Sequence, residues 1–104
     1  MARIIRSPLA KQDIADVLRY TKEHWGEVQA REYRDLVREA LTAIALNPLA
    51  GRARDELRPG IRSYHIKQSG RNARHLLFYR VTADRAVQIV RFLHDSMDFD
   101  RHLG

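Results

Sequence analysis

Tyr33, Leu36, Val37, Ala40, Leu41 and Ile44 recur at i, i+3, i+4, i+7, i+8 and i+11, and this spacing limits the fold more than any other feature of the chain. Residues so spaced share one face of a helix. Arg31, Glu32, Arg34, Asp35, Arg38 and Glu39 fill the opposite face, with Asp35 and Arg38 at the spacing of an attractive helical pair. Asn47-Pro48 ends the pattern, because the residue before a proline is pushed out of the helical region. A helix with one apolar face is not stable alone in water, so other elements must cover it.

The first of these precedes it. Ala2-Arg3-Ile4-Ile5-Arg6 reads as a short strand, and Ser7-Pro8 as the cap and first position of a helix. The apolar stripe of that helix is Leu9, Ile14, Val17, Leu18, Thr21 and Trp25, and Gly26 closes it. So short a link makes the two helices antiparallel neighbours. After them, residues 49–60 (LAGRARDELRPG) form an aperiodic connector, and Pro59-Gly60 marks a turn. Three strand-like runs follow: Ile61–Lys67, Arg74–Thr82 and Ala86–His94, separated by polar turns at Gln68–Asn72 and Thr82–Arg85. Helices and strands are thus segregated. The expected fold is α+β: an N-terminal strand, an antiparallel helix hairpin, a three-strand antiparallel meander and a short C-terminal tail, in one domain spanning 1–104.

The absence of cysteine removes disulfides, thiolate nucleophiles and cysteine-based zinc sites from consideration. No run resembles a signal peptide or a membrane span, so a cytoplasmic location and no membrane partner are expected. The net charge is +6 and uneven: residues 51–104 hold eleven basic and six acidic side chains, against eight and seven in residues 1–50. Nearly all of the positive charge is arginine, whose planar fork suits phosphate and carboxylate partners. That balance fits an acidic partner or nucleic acid; the plainer reading is a solvated surface.

Three places can carry chemistry. The tail HDSMDFDRHLG gathers His94, Asp95, Asp98, Asp100 and His102. If helical, it would align His94, Asp98 and His102 on one face, a set suited to zinc or iron. A dozen terminal residues supply little second shell, however, and Met97, Phe99 and Leu103 read as docking groups, so no metal is expected. Serines and histidines occur without a nucleophile-elbow motif, and the glycines form no phosphate cradle, so no cofactor is implied. Finally Arg62, Lys67, Arg71, Arg74, Arg80 and Arg91, with His65, His75 and Tyr64, come from neighbouring strands. Such a set can bind RNA phosphates, or can simply pair with carboxylates of the helix layer. Trp25 and Tyr33 read as core or groove residues, not as base-stacking platforms.

The residues resemble the ParE branch of the RelE/ParE superfamily of type II toxin–antitoxin systems. The match runs along almost the whole chain: Ser7-Pro8, Trp25-Gly26, Asn47-Pro48, Gly51-Arg52, Leu57-Arg58-Pro59-Gly60-Ile61-Arg62, Phe78-Tyr79-Arg80-Val81, Val90-Arg91-Phe92-Leu93-His94, Met97-Asp98 and Arg101-His102-Leu103. The resemblance implies a small cytoplasmic toxin, neutralised by a ParD-like antitoxin that contacts operator DNA on its behalf. It implies DNA gyrase as target, stalled on cleaved DNA so that replication stops, and no catalysis by the toxin itself. RelE-like cousins instead cut messenger RNA on the ribosome with lysine, arginine and a C-terminal tyrosine or histidine. A tyrosine near the end is missing here. Target contacts are therefore expected at His94, Met97, Asp98, Arg101 and His102, and antitoxin contacts at Trp25, Tyr33, Arg62, Arg80 and Arg91. A ribosome-dependent RNase would instead use Arg62, Lys67, Arg80, Arg91 and His94. A basic DNA-binding module without toxicity is the third reading. ParE tails commonly carry a basic residue just before the Met-Asp pair, where this chain has Ser96.

Overall fold

The first helix, α1 (Pro8–Trp25), starts as its sequence dictates: the Ser7 hydroxyl accepts from the Ala10 amide at 3.0 Å and Pro8 takes the first position. Gly26, at φ 94°, turns the chain directly into α2 (Glu27–Leu46). The computed structural model describes residues 1–103. Around the hairpin lie β1 (Ile4–Arg6), β2 (Arg52–Ala53), β3 (Arg62–Gln68), β4 (Arg71–Val81), β5 (Val87–His94) and a terminal helix, α3 (Phe99–Leu103).

The sheet has five strands in the order β1-β5-β4-β3-β2. The expected meander, β3 to β5, is its centre, with Tyr64 opposite Leu77 and Leu77 opposite Phe92. Two features extend it. β1 lies parallel to β5, with Ile5 opposite Gln88. The two-residue β2 adds to β3 inside the expected connector, with Arg52 opposite Ser63. Beyond the end of β1, side chains of the α1 region cover the open edge of β5. The Ser7 hydroxyl donates to the Val90 carbonyl at 2.8 Å, and the Phe92 amide donates to the Asp13 carboxylate at 3.0 Å. An exposed edge would otherwise offer itself to another strand.

Strand alternation splits the interior in two. Toward the helices, Leu77, Tyr79, Ile89 and Phe92 pack with Ile14, Val37, Ala40 and Ile44. On the other face, Leu76, Phe78 and Leu93 pack with Ile61, and Leu57, Phe99 and Leu103 cover them. The tail thus docks through two of its three expected apolar groups. Met97 instead stays 43% exposed.

Several expectations are corrected. Leu9 and Trp25 are 59% and 71% exposed: Leu9 points away from the sheet beside the fully buried Ala10, and Trp25 lies at the far end of α1; Ala10 and Ile14 are its buried side chains. The β3–β4 turn is only Ser69-Gly70, both at positive φ (51° and 76°), as a tight hairpin requires. Polar residues taken for loop, Arg71 and Asn72, pair in the ladder with Gln68 and Lys67 where both faces meet solvent. The first strand begins at Ile4, not Ala2. Among the described residues Asp35 and Arg38 form no ion pair; the helical pair that does form is Asp16 with Arg19, at 2.8 Å.

Candidate functional site

Because α1 and α2 outrun the sheet, their joined ends leave a cleft of about 930 Å³ above the ends of β4 and β5. Val17, Tyr20, Trp25 and Tyr33 form its helical wall, and Ala73, His75, His94 and Met97 the facing one. Tyr20 stacks on His24 with ring centroids 3.9 Å apart, which holds an exposed aromatic at the rim.

The floor is polar and tightly tied. The Tyr33 hydroxyl lies 2.6 Å from His75 Nδ1. Burial, reinforced by the Asp95 charge, pushes the phenol up to about 12, so it keeps its proton and donates it. Burial, with His94 and Arg74 adding repulsion, pushes His75 down to about 4 against a weaker pull from Asp95. His75 is therefore neutral near pH 7, accepting at Nδ1 with its proton on Nε2. Its ring stacks on Phe92 (5.0 Å, 18°) and meets His94 edge-on (5.1 Å, 87°). His94 Nδ1 accepts from the Ser96 amide at 3.1 Å and lies 2.7 Å from the Ser96 hydroxyl. Hydrogen bonding from Arg74, whose Nε lies 2.9 Å from both carboxylate oxygens, lowers the Asp95 pKa. A cleft with apolar walls and a satisfied polar floor suits apolar side chains of a partner.

The candidate residues separate into three places. Trp25 and Tyr33, expected to meet the antitoxin, share the cleft wall, and His94 and Met97 join them from β5 and the tail. Asp98, Arg101 and His102 are exposed and lie at or in α3, against the other face of the sheet. That helix starts only at Phe99, so His94 and Asp98 lie outside it and the three-residue ligand alignment does not form.

The strand arginines are dispersed and engaged. Arg62 donates to the Gly51 carbonyl at 2.7 Å, Lys67 bonds Asn72, and Arg80 donates to the Gln88 side chain at 2.9 Å. Arg91 forks onto Asp13 at 2.7 and 2.9 Å, and that hydrogen bonding raises its already high pKa. With a rise of about 3.3 Å per residue, Lys67 sits roughly 16 Å along β3 from Arg62. Neither Asp13 nor the cleft residues Tyr20 and Ala73 stood out in the sequence, and Arg74 stood out only as one of the strand arginines. Asp13 belongs to no motif or spacing pattern there. Only the pairing of β5 against α1 brings it to Arg91.

Comparison with known proteins agrees with this layout. The family model described as the ParE toxin of the type II toxin–antitoxin system, parDE, matches residues 4–99. Toxin ParE1 of Mycobacterium tuberculosis is 38% identical over 102 residues, covering 98% of each chain. Toxin ParE1 of Caulobacter vibrioides is 37% identical over 95 residues, covering 91% of each. Toxin ParE of Escherichia coli is 26% identical over 104 residues, all of this chain and 95% of that one. A solved structure, the chromosomal ParDE TA system from P. aeruginosa, superposes with a TM-score of 0.74 over 90% of this chain and 96% of that chain; at 17% identity it shows a shared fold. The strand–hairpin–meander order, the docked tail and near full-length similarity to several toxins converge, and the chain belongs to the ParE toxin family of type II toxin–antitoxin systems.

Proposed function

We propose that this chain is a cytoplasmic growth-arresting toxin that binds DNA gyrase, stalls it on cleaved DNA and performs no bond-making chemistry of its own. Similarity to Toxin ParE1 along 98% of the chain supports the toxin reading. The dispersal of the strand arginines carries the non-enzymatic part. An RNase at Arg62, Lys67, Arg80, Arg91 and His94 needs a base, an acid and a charge stabiliser around one phosphate. Here Arg62 is tied to a backbone carbonyl, Arg80 to Gln88 and Arg91 to Asp13, in different parts of the sheet.

The tail residues His94, Met97, Asp98, Arg101 and His102 are assigned to target recognition. A ParD-like antitoxin is assigned to the cleft. Its acidic, amphipathic segment orders on binding, sets apolar side chains between Trp25, Tyr33 and Met97, and meets the half-buried Arg62 and Arg91 and the exposed Arg80 with its charge. Operator DNA is reached through the antitoxin. The test is induction in cells followed by transcript and DNA-damage readouts. Intact messenger RNA with an SOS response is expected. Codon-specific transcript cleavage without that response would replace this reading with the ribosome-dependent RNase.

A further inference from the structure

Helix α3 has only five residues, Phe99–Leu103. A helix this short is unstable by itself, and its last carbonyls lack partners within it. Two arginines from distant parts of the chain meet that need. Arg58 donates to the Asp100 carbonyl at 3.2 Å and pairs with the Asp100 carboxylate at 2.6 Å. Arg91 donates to the His102 carbonyl at 3.0 Å while its other nitrogens grip Asp13 on α1.

Beneath these bonds the Phe99 ring meets Phe78 with centroids 4.8 Å apart, and the Arg54 guanidinium stands 5.5 Å from the Phe99 centroid. Arg54, Leu57 and Arg58 all come from the connector between β2 and β3. Its own turns are closed by the Leu57 and Arg58 amides on the Arg54 carbonyl, and by the Gly60 amide on the Asp55 carboxylate. The aperiodic connector is therefore a cradle built against the tail. Long connectors in small domains usually have such an occupation.

We propose that Arg58 and Arg91 are positioning residues that hold α3 docked, so that the tail meets its macromolecular target as a preformed helix. The proposal rests on the reading of the tail as the recognition element. A loose tail would have to be ordered during binding, and that entropy weakens association. Arg58 is the informative position, because Arg91 also joins α1 to β5.

Arg58→Ala and Asp100→Ala, separately and together in the full chain, test it. Nuclear Overhauser contacts between Phe99 and Phe78 report docking, resonances of β4 and β5 report the body of the fold, and growth arrest on induction reports function. Each single change is expected to weaken the Phe99–Phe78 contact at least fivefold, leave the strand resonances in place and reduce growth arrest at least tenfold. The double change should do no more than Arg58→Ala alone, since that change already removes both the bond to the Asp100 carboxylate and the bond to its carbonyl. A Phe99–Phe78 contact that survives Arg58→Ala overturns the proposal. So does a released tail with undiminished growth arrest. Deleting Ser96–Gly104 separates the two layers: undiminished arrest by that truncation removes the recognition reading itself, whereas arrest lost on truncation but kept in Arg58→Ala with a released tail removes only the positioning role.

Discussion

Tyr79 shows how one side chain fixes a whole connection. It is fully buried, its hydroxyl donates to the Pro48 carbonyl at 2.8 Å, and it accepts from the Gly51 amide at 2.8 Å. Two backbone groups just past α2 would otherwise be buried without partners. Gly51 is required by close approach: a Cβ there would lie 2.5 Å from the Tyr79 oxygen and 2.9 Å from the Ser63 carbonyl. Gly51→Ala should therefore lower stability by about 1–3 kcal/mol in urea unfolding, and Tyr79→Phe by a similar amount through the orphaned amide and carbonyl. His75 sets a pH dependence of definite sign. Its folded value near 4 lies below its ordinary 6.5, so the unfolded chain binds the extra proton first. Its contribution is complete above pH 6.5 and is lost as pH falls toward 4. Unfolding midpoints of the wild-type chain should fall through that window more steeply than those of His75→Phe; equal slopes would remove His75 as the cause.

Among the elements, the two helices were legible because one physical signal, periodic burial, dominates them. The run from Tyr33 to Ile44 contains Val37, Ala40 and Ile44, all buried as spaced. Their ends were less legible. Trp25 fits the α1 stripe, but the sheet stops short of it, and the reach of a neighbouring layer is not written in a helix's own pattern. The two-residue β2 is too short to leave a period-2 signature, and the parallel pairing of β1 with β5 joins segments some eighty positions apart. The α1–β5 joint is of the same kind. Asp13 satisfies both the Arg91 fork and the Phe92 amide, with both side chains mostly shielded. Asp13→Ala would strip the shielded Arg91 of its only carboxylate among the described residues and leave the Phe92 amide without its partner, a loss on the order of 3 kcal/mol. Arg91→Ala, by the same reasoning, should cost much of this too. The combined change should cost clearly less than the sum of the two, and simple additivity in a double-mutant cycle would dissolve the joint.

For the molecule as a whole, the sheet carries different things on its two faces. The helix face opens into the aromatic cleft; the other face carries the docked tail. The sequence pointed to the tail and to Trp25 and Tyr33 separately. It could not show that His94 and Met97 belong with the cleft while Arg101 and His102 belong with α3, because a single turn after β5 divides them. This division allows one partner in the cleft and another at the tail, with Met97 and the residues around it as the shared ground. Trp25→Ala removes an exposed ring from the cleft wall, so it should weaken antitoxin binding by tenfold or more in calorimetry while leaving growth arrest without antitoxin intact. The central claim is recognition of gyrase without catalysis, and the most direct measurement uses purified components: gyrase, supercoiled DNA and the full chain, with the Ser96–Gly104 truncation beside it. Gyrase-dependent accumulation of cleaved DNA is expected with the full chain and not with the truncation. No binding to gyrase and no cleaved DNA at toxin concentrations well above the enzyme would contradict it.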